Sequence, residues 1–394
     1  MAKTILLLTD GTWNGVGNAD SAGGPPTNVL KLFLALDGDA PAMSAEMEQT
    51  TVGADGSVSQ VAKYLHGVGD SGNPLVKFAE GTIGAGIVSR IVRGYTFISR
   101  HYVPGDRICL VGFSRGAYTA RALADFIAHQ GLLDWAGMDF TDGGDIGAYH
   151  AGVDAWMTYR LSRLSSTPVR RIGTLAHEVI DFFGYRSTAP LYVENVPVHA
   201  VGVFDTVGAL GIPVYVDDLD SRLDMFRLTD AELSPLVSNG FHAVSVDEQR
   251  VDFTPALWNP RTGIEQVLFP GAHSDVGGGY PAGETGLSDW ALLWMETRLK
   301  RVGVTFSAQI GAAPTVRGLA HRPWLGTKYA TAPRQFPAGL LLSRSNVDRV
   351  GSGLVPAEQR TGPAAHLPYR PAHLVPDYYT DEYQLAPGSS ISEL

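Results

Sequence analysis

The segment 109–117 places Ser114 between two glycines, in the pattern Gly112-x-Ser114-x-Gly116. An apolar run precedes this serine and an alanine-rich stretch follows it, which is typical of a strand that turns sharply into a helix. Glycines two positions before and after the serine let the strand and the helix approach without a side-chain clash. The helix N-terminus favours the negative charge of a tetrahedral oxyanion. The pattern therefore predicts that Ser114 is a nucleophile on a strand-to-helix elbow.

His273 is the strongest candidate for the base that would activate this serine. In hydrolases with such an elbow, the acid and then the histidine follow the serine along the chain, each on a loop just after a strand. Of the eleven histidines, His273 alone follows an apolar run, 265–269, and opens a glycine-rich loop, 270–279. Glycines there permit close backbone packing around an exposed imidazole. The alternative is a histidine with a core or capping role.

The acid of the triad has two main candidates. Asp205 ends the apolar run 198–204, and Asp247 follows the run 243–246. Counting strands favours Asp247, because its position is the commoner one for the acid. Asp275 is a third candidate, but a residue two positions beyond His273 points awkwardly for orienting its ring. These considerations leave the choice between Asp205 and Asp247 open.

The oxyanion hole needs two backbone amides aimed at the reacting oxygen. One donor in this type of site comes from the residue after the nucleophile and the other from the loop of a different strand. Arg115 is the residue after Ser114, and Gly11 and Thr12 follow the first apolar run, 4–8. We expect Arg115, with Gly11 or Thr12, to supply these amides. The alternative for Gly11 and Thr12 is a tight Asx-type turn.

Apolar runs alternate with helix-like segments along the chain. The runs are 4–8, 107–111, 198–204, 243–246 and 265–269, and the helix-like segments are 81–101, 117–130, 153–164, 174–183 and 288–301. Continuous rather than alternating hydrophobicity is typical of strands buried on both faces of a parallel sheet. Alternation with helices indicates an α/β protein. With the elbow, this predicts an α/β-hydrolase fold, in which helices flank a mostly parallel central sheet.

We predict a single domain over residues 1–394 with two additions. Residues 131–190 form a helical cap insertion, in which Trp156 and Phe182 are candidates for substrate binding, with internal packing as the alternative. Residues 302–394 are rich in proline and predict an irregular C-terminal wrap over the domain.

Composition limits the function classes. With 44% hydrophobic and 18% charged residues, the chain can bury a large core, and its net charge of −10 disfavours a nucleic-acid partner, which usually requires a basic face. The one cysteine, Cys109, lies in an apolar run and is expected to be a buried core residue. No zinc-type Cys/His spacing occurs, and we expect neither a metal nor another cofactor. The oligomeric state is not predicted.

The N-terminal apolar run, 4–8, is too short for the core of a signal peptide. No stretch reads as a membrane span, since even 83–98 contains Arg90 and Arg93. We therefore expect a cytoplasmic address by default, with signal-independent export as the alternative.

Motifs spread from the N-terminus to about residue 374 resemble the α/β-hydrolase family that contains the lipase effectors of bacterial type VI secretion and many uncharacterised bacterial and fungal proteins. They are DGT at 10–12, TNV at 27–29, GFSRGA at 112–117, ARA at 120–122, GVFDTVG at 202–208, HAVSVDEQR at 242–250, FPGAHSDVGGGY at 269–280, LSD at 287–289, WM at 294–295 and YRP at 369–371.

The resemblance implies a triad of Ser114, Asp205 and His273, and so favours Asp205 over Asp247. It also implies hydrolysis of lipid or carboxylic esters, with phospholipase activity in some relatives. The chain departs from the secreted effectors, which carry a long membrane-associating C-terminal region. We therefore expect a small-molecule or lipid ester as substrate, with only peripheral contact with lipid, and a compact esterase fits as well as a toxin.

Two other function classes remain as alternatives. One is a metal-dependent hydrolase that uses Asp10, Asp205, Asp247 and His273, because strand-end carboxylates can hold a hard cation such as magnesium. It leaves the elbow at Ser114 unexplained. The other is a non-catalytic binding module on a hydrolase scaffold, which is disfavoured because all three residue types of a triad are present.

Overall fold

The structure is a computed structural model, and it describes residues 2–11, 24–39, 41–67, 83–138, 140, 144–163, 190–207, 231–307, 310–337, 340–371 and 390–392. The strands are β1 (Thr4–Thr9), β2 (Glu46–Val52), β3 (Val58–Leu65), β4 (Arg107–Phe113), β5 (Leu132–Leu133), β6 (Tyr192–Val193), β7 (Val198–Phe204), β8 (Val237–Ser245), β9 (Ile264–Phe269), β10 (Leu341–Ser343), β11 (Leu354–Ala357), β12 (Ala365–Pro368) and β13 (Ser390–Ser392). The α-helices are α1 (Asn28–Ala35), α2 (Ile83–His101), α3 (Arg115–Gln130), α4 (Gly144–Arg163), α5 (His273–Gly277), α6 (Ser288–Arg301) and α7 (Arg344–Gly351).

Nine of the described strands form one sheet in the order β13-β10-β9-β8-β7-β4-β1-β3-β2. Neighbouring strands are parallel throughout, except that β2 runs antiparallel to β3 at one edge. Helices pack on both faces of this mostly parallel sheet. The predicted α/β-hydrolase fold is therefore confirmed.

The strand β1 shows why its sequence is apolar without alternation. Ile5 and Leu7 point into one hydrophobic cluster, which contains residues of α2, α3 and α4. Leu6 and Leu8 point into a second cluster on the other face, which contains residues of α1 and α6. All four side chains are fully buried. A strand covered by helices on both faces has no solvent side, so it carries apolar residues throughout.

The register of the strands brings their carboxyl ends to one edge. Thr9 at the end of β1 is opposite Gly112 of β4, and Phe113 of β4 is opposite Phe204 of β7. Phe204 is in turn opposite Ala243 of β8. The residues that follow β1, β4 and β7 therefore meet above the same edge, where open parallel sheets bind their ligands.

The insertion at 131–190 differs from the predicted cap in the part that the structure describes. The helix α4 begins at Gly144 instead of 153 and packs on α2 and α3 as part of the main core. The short strands β5, at the start of the insertion, and β6, just after its end, pair with each other. The predicted helix at 174–183 lies outside the described residues.

The C-terminal region is more regular than predicted. The strands β10 and β13 extend the central sheet beyond β9, α7 follows β10 directly, and β11 and β12 form a separate antiparallel pair. The sequence predicted an irregular wrap over 302–394 and gave no sign of these elements, because short elements in a proline-rich segment give no clear periodic signal.

No helix in the described ranges combines the length and the apolarity that a membrane span requires.

Candidate active site

Ser114 sits on a strained turn between β4 and α3. Its backbone angles are φ 56° and ψ −121°, which non-glycine residues rarely adopt and which cost on the order of 1–3 kcal/mol. A Cβ atom at Gly112 would collide with the carbonyl group of Gly116, and one at Gly116 would collide with the carbonyl oxygen of Thr9. The Thr9 hydroxyl donates to the Gly116 carbonyl oxygen at 2.7 Å. The two glycines and Thr9 thus hold the serine at the tip of a tight elbow.

The imidazole of His273 lies beside this elbow and contacts Asp205. Its Nδ1 atom is 2.6 Å from Asp205 Oδ2, and both side chains are buried. When Nδ1 donates to a carboxylate, Nε2 is the nitrogen left to accept a proton. Nε2 has no hydrogen-bond partner among the described residues. The ring packs on Phe113, the residue before Ser114, with centroids 4.7 Å apart. This arrangement orients the His273 ring beside the elbow, with Nδ1 toward Asp205.

Asp205 directly follows β7 and is held in place by several donors. Its own backbone has a positive φ of 39°. Its carboxylate accepts hydrogen bonds from the Ser245 amide at 2.9 Å and from Arg334, whose Nη1 and Nη2 atoms lie 2.7 and 2.9 Å from Oδ1 and Oδ2. Burial alone would raise the pKa of Asp205. The charge of Arg334 and the hydrogen bonds from His273 and Arg334 outweigh burial and hold that pKa well below its usual range.

The competing aspartates face other partners. Asp247 Oδ2 accepts from the Gly271 amide at 2.7 Å and from the Tyr369 hydroxyl at 2.8 Å. Burial raises the pKa of Asp247 to about 6, despite these hydrogen bonds. Asp275 Oδ1 lies 2.6 Å from Nδ1 of His321, a different histidine. Of the three candidate acids, the structure places Asp205 against His273.

Gly11 lies against the nucleophile, but its amide is engaged. A Cβ atom at Gly11 would lie 3.1 Å from Ser114 Cβ. The Gly11 amide donates to Asp10 Oδ1 at 2.7 Å, so it is not the free oxyanion donor that we predicted. The side chain of Asp10 caps its own loop, which is closer to the local-turn alternative. Thr12 lies outside the described residues. Arg115 begins α3, and the first amides of a helix have no intrahelical acceptor, so the Arg115 amide suits the predicted donor role.

The close packing of Gly11 on Ser114 predicts that a larger residue at position 11 would lower activity. In Gly11→Ala, the new methyl group would contact Ser114 and Phe113 too closely and displace the serine. A displacement of the nucleophile by about 1 Å lowers the rate by up to about 10²-fold. We expect kcat for an ester substrate to fall by that order while the protein stays folded. Gly24→Ala is the matched control, because a Cβ there meets nothing within 4 Å. Equal kinetic effects of the two substitutions would contradict the packing of Gly11 on the elbow.

Comparison with known proteins identifies the family. Residues 3–298 match the catalytic domain of the Tle1-like phospholipase effectors of type VI secretion. The chain belongs to this Tle1-like family. The resemblance found in the sequence motifs is therefore confirmed.

Individual relatives of this Tle1-like chain are distant. It is 30% identical over 270 residues to the uncharacterised protein YEL023C of Saccharomyces cerevisiae, covering 68% of this chain and 34% of the yeast protein. An uncharacterised protein from Pseudomonas aeruginosa has a TM-score of 0.41 at 20% identity, over 77% of this chain and 46% of the other. The Tle1 effector bound to the VgrG spike has a TM-score of 0.39 at 21% identity, over 71% and 52%. The chain thus spans a third to about half of these three longer proteins.

Glu248 is a residue of the Tle1-like site that sequence reasoning did not single out. Its buried carboxylate accepts the backbone amide of His273 at 3.2 Å through Oε2. The same carboxylate binds Arg250 through two contacts of 2.8 Å, and the Arg250 guanidinium lies 3.5 Å from the ring centroid of Phe253. Phe253 in turn contacts the His273 ring, with centroids 5.0 Å apart. In the sequence, only the motif at 242–250, which contains Glu248, pointed to this contact with His273.

Arg334 was also missed, because no motif or periodicity connects it with Asp205, 129 positions away. Trp156, a candidate for substrate binding with internal packing as the alternative, is buried in the core, where it packs edge-to-face on Phe126 with ring centroids 5.3 Å apart. Bulky apolar residues suit a cleft and a core equally well, so the sequence alone did not decide between the two roles. Phe182 lies outside the described residues.

The carboxylates of the metal-dependent alternative are not gathered at one point. Asp10 Oδ2 accepts from the hydroxyls of Thr27 and Tyr64, at 2.6 and 2.7 Å, while Asp205 and Asp247 have the separate partners described above. Across the described ranges, no group of three acidic, histidine or cysteine side chains is arranged to hold a metal ion.

Proposed function

We propose that the chain is a serine hydrolase that cleaves carboxylic or lipid esters through an acyl-enzyme. Ser114 is the nucleophile, His273 the general base and Asp205 the acid that orients it. The observation that carries the proposal is the 2.6 Å contact between His273 and Asp205, at the same edge of the sheet as the strained turn of Ser114. Membership of the Tle1-like family supports it.

The first half of the reaction forms the acyl-enzyme. Nε2 of His273 takes the hydroxyl proton of Ser114 as Oγ attacks the acyl carbonyl carbon. The Arg115 amide donates to the oxyanion of the tetrahedral intermediate, and we assign the second donor to the loop after β1, at Thr12. The intermediate collapses, the alkoxide leaving group takes the proton from the imidazolium and departs as the alcohol, and the acyl group stays on Ser114.

The second half repeats these steps with water. His273 takes a proton from water, hydroxide adds to the acyl carbon, and a second tetrahedral intermediate forms. Its collapse expels Ser114 Oγ, which recovers the proton from the imidazolium, and a carboxylic acid is released. Asp205 stays ionised throughout and stabilises the imidazolium in both halves.

We infer a phospholipid or another lipid ester as the substrate class, with peripheral contact between the protein and the lipid surface. The support is the family, whose effectors are phospholipases. The scissile bond is then a carboxylic ester of the glycerol backbone, because serine acylation releases a fatty acid and leaves the phosphate attached to the glycerol.

The test is a hydrolysis assay of the purified protein on p-nitrophenyl esters of increasing chain length and on phosphatidylcholine in mixed micelles. Each is run with and without EDTA. We expect release of p-nitrophenol, and of fatty acid without phosphocholine, at rates that EDTA does not change. Loss of activity in EDTA, restored by magnesium, would instead support the metal-dependent alternative. Tight binding of lipid without hydrolysis would support the binding module.

A further inference from the structure

In the described part of the C-terminal region, the side chain of Arg334 contacts Asp205 directly. This arginine lies beyond residue 298, where the match to the catalytic-domain family ends. Its two terminal nitrogens bind the two carboxylate oxygens of Asp205, one nitrogen to each oxygen. The same nitrogens donate to the main-chain carbonyls of Ser245 at 2.6 Å and Phe253 at 2.5 Å. The arginine therefore joins the acid to the end of β8 and to the loop that packs on His273.

We propose that Arg334 is the positioning residue of the catalytic acid, so that residues after 298 complete the active site. The inference rests on the proposed function for its catalytic meaning. Arg334 contacts Asp205 and no reacting atom, so it acts through the acid. A planar guanidinium that grips both carboxylate oxygens fixes the plane of the carboxylate, which a lysine ammonium cannot do.

The backbone conformation of Asp205 explains why the acid needs several partners to hold it in place. Its positive φ is unfavourable for an aspartate and persists only if the surroundings hold the residue firmly. The Ser245 amide, Arg334 and His273 provide that hold. A buried ion pair adds little net stability, because desolvation of both charges offsets their attraction. The contribution of Arg334 is therefore expected in the orientation and titration of the pair formed by Asp205 and His273.

The charge of Arg334 has a defined effect on this pair. A fixed cation beside Asp205 disfavours one more proton on the coupled pair, whichever of the two groups would carry it. The cation therefore favours the form of the pair in which Asp205 is ionised and Nε2 of His273 can accept the proton of Ser114. Removing the cation lets the pair take up a proton at a higher pH, and a protonated pair cannot act as the base.

Other charged groups face the pair from the elements around it. They are Glu248 with its partner Arg250, His242 on β8, Arg121 on α3, and Asp275 with its partner His321. Burial, followed by the charge of Arg121, lowers the pKa of His242 to about 3, so this histidine is neutral. These groups are unchanged in variants of Arg334, so their effects cancel when a variant is compared with the wild type.

The experiment measures the titration of His273 directly and the pH dependence of kcat/KM. The NMR signal of the His273 imidazole is assigned by its loss in His273→Gln. In Arg334→Met we expect the His273 titration and the acidic limb of kcat/KM to move up together by about 1–2 pH units. Arg334→Lys keeps the charge, so it should shift the limb less while lowering kcat. The control is Arg349→Met, because Arg349 is also a buried arginine but donates to main-chain carbonyls such as those of Gly318 and Pro356.

An unchanged His273 titration in folded Arg334→Met would overturn the inference. If Arg334→Met does not fold, the test passes to Arg334→Lys in the Asp205→Asn background, where the loss of kcat should disappear. A loss that is the same in both backgrounds would show that Arg334 does not act through the acid. A wild-type protein that cleaves no ester, but whose His273 titration moves in Arg334→Met, would contradict the proposed function and support the positioning role.

Discussion

Replacing Ser114 with alanine is expected to lower kcat for ester substrates by about 10⁶-fold, leaving only background hydrolysis. The alanine keeps the Cβ atom and the turn but has no oxygen to attack the carbonyl. His273→Ala should cost about as much, because members of a triad act as a unit. Steady-state kinetics on p-nitrophenyl esters measure both effects.

The expected stability of Ser114→Ala separates loss of chemistry from loss of fold. No side-chain hydrogen bond of Ser114 caps α3, so the melting temperature should change little. Ser59→Ala is the control, since Ser59 is an exposed serine on β3. Substantial activity in folded Ser114→Ala would show that another group is the nucleophile.

The second large effect is expected for Asp205→Asn, which should lower kcat by about 10⁴-fold. An amide cannot hold His273 in the tautomer that leaves Nε2 free, and it does not stabilise the imidazolium. The variant also leaves Arg334 without its counter-charge, so kcat is compared on protein whose folding is verified by circular dichroism.

Asp247→Asn is the matched comparison for that variant. Asp247 is also a buried aspartate at the end of a strand, but it binds Gly271 and Tyr369 instead of His273. An asparagine keeps an oxygen that can accept these bonds, so kcat should stay within about tenfold of the wild type. A larger loss for Asp247→Asn than for Asp205→Asn would show that the strand-counting argument had identified the right acid.

The parts of the fold that the sequence predicted are those with continuous local signals. The runs that became β1, β4 and β7 are mostly apolar, the second half of β9 is apolar, and α6 was predicted at its exact bounds. The strand β2 was missed because it is an edge strand, in which polar residues such as Glu46 and Glu48 alternate with buried ones. Its neighbour β3 was missed as well, since Lys63 and Gln60 interrupt its apolar run.

The sequence predicted the candidate residues of the site, but not the features that depend on the direction of a side chain. The glycines around Ser114 predicted the tight turn, because such a turn needs small residues two positions before and after the serine. The direction of the Asp205 side chain depends on a positive φ that no local sequence pattern predicts. The amide of Gly11 is engaged by the adjacent Asp10, which neither spacing nor composition reveals. Arg334 reaches the site only through tertiary structure.

The most direct test of the central claim is covalent labelling by a fluorophosphonate, followed by mass mapping of the modified peptide. We expect one adduct, on Ser114, that forms in the presence of EDTA and is lost in Ser114→Ala. Labelling should slow strongly in His273→Ala, because the base that activates the serine is then absent. An adduct on a different serine, or an active enzyme that the probe neither labels nor inhibits, would contradict Ser114 as the nucleophile.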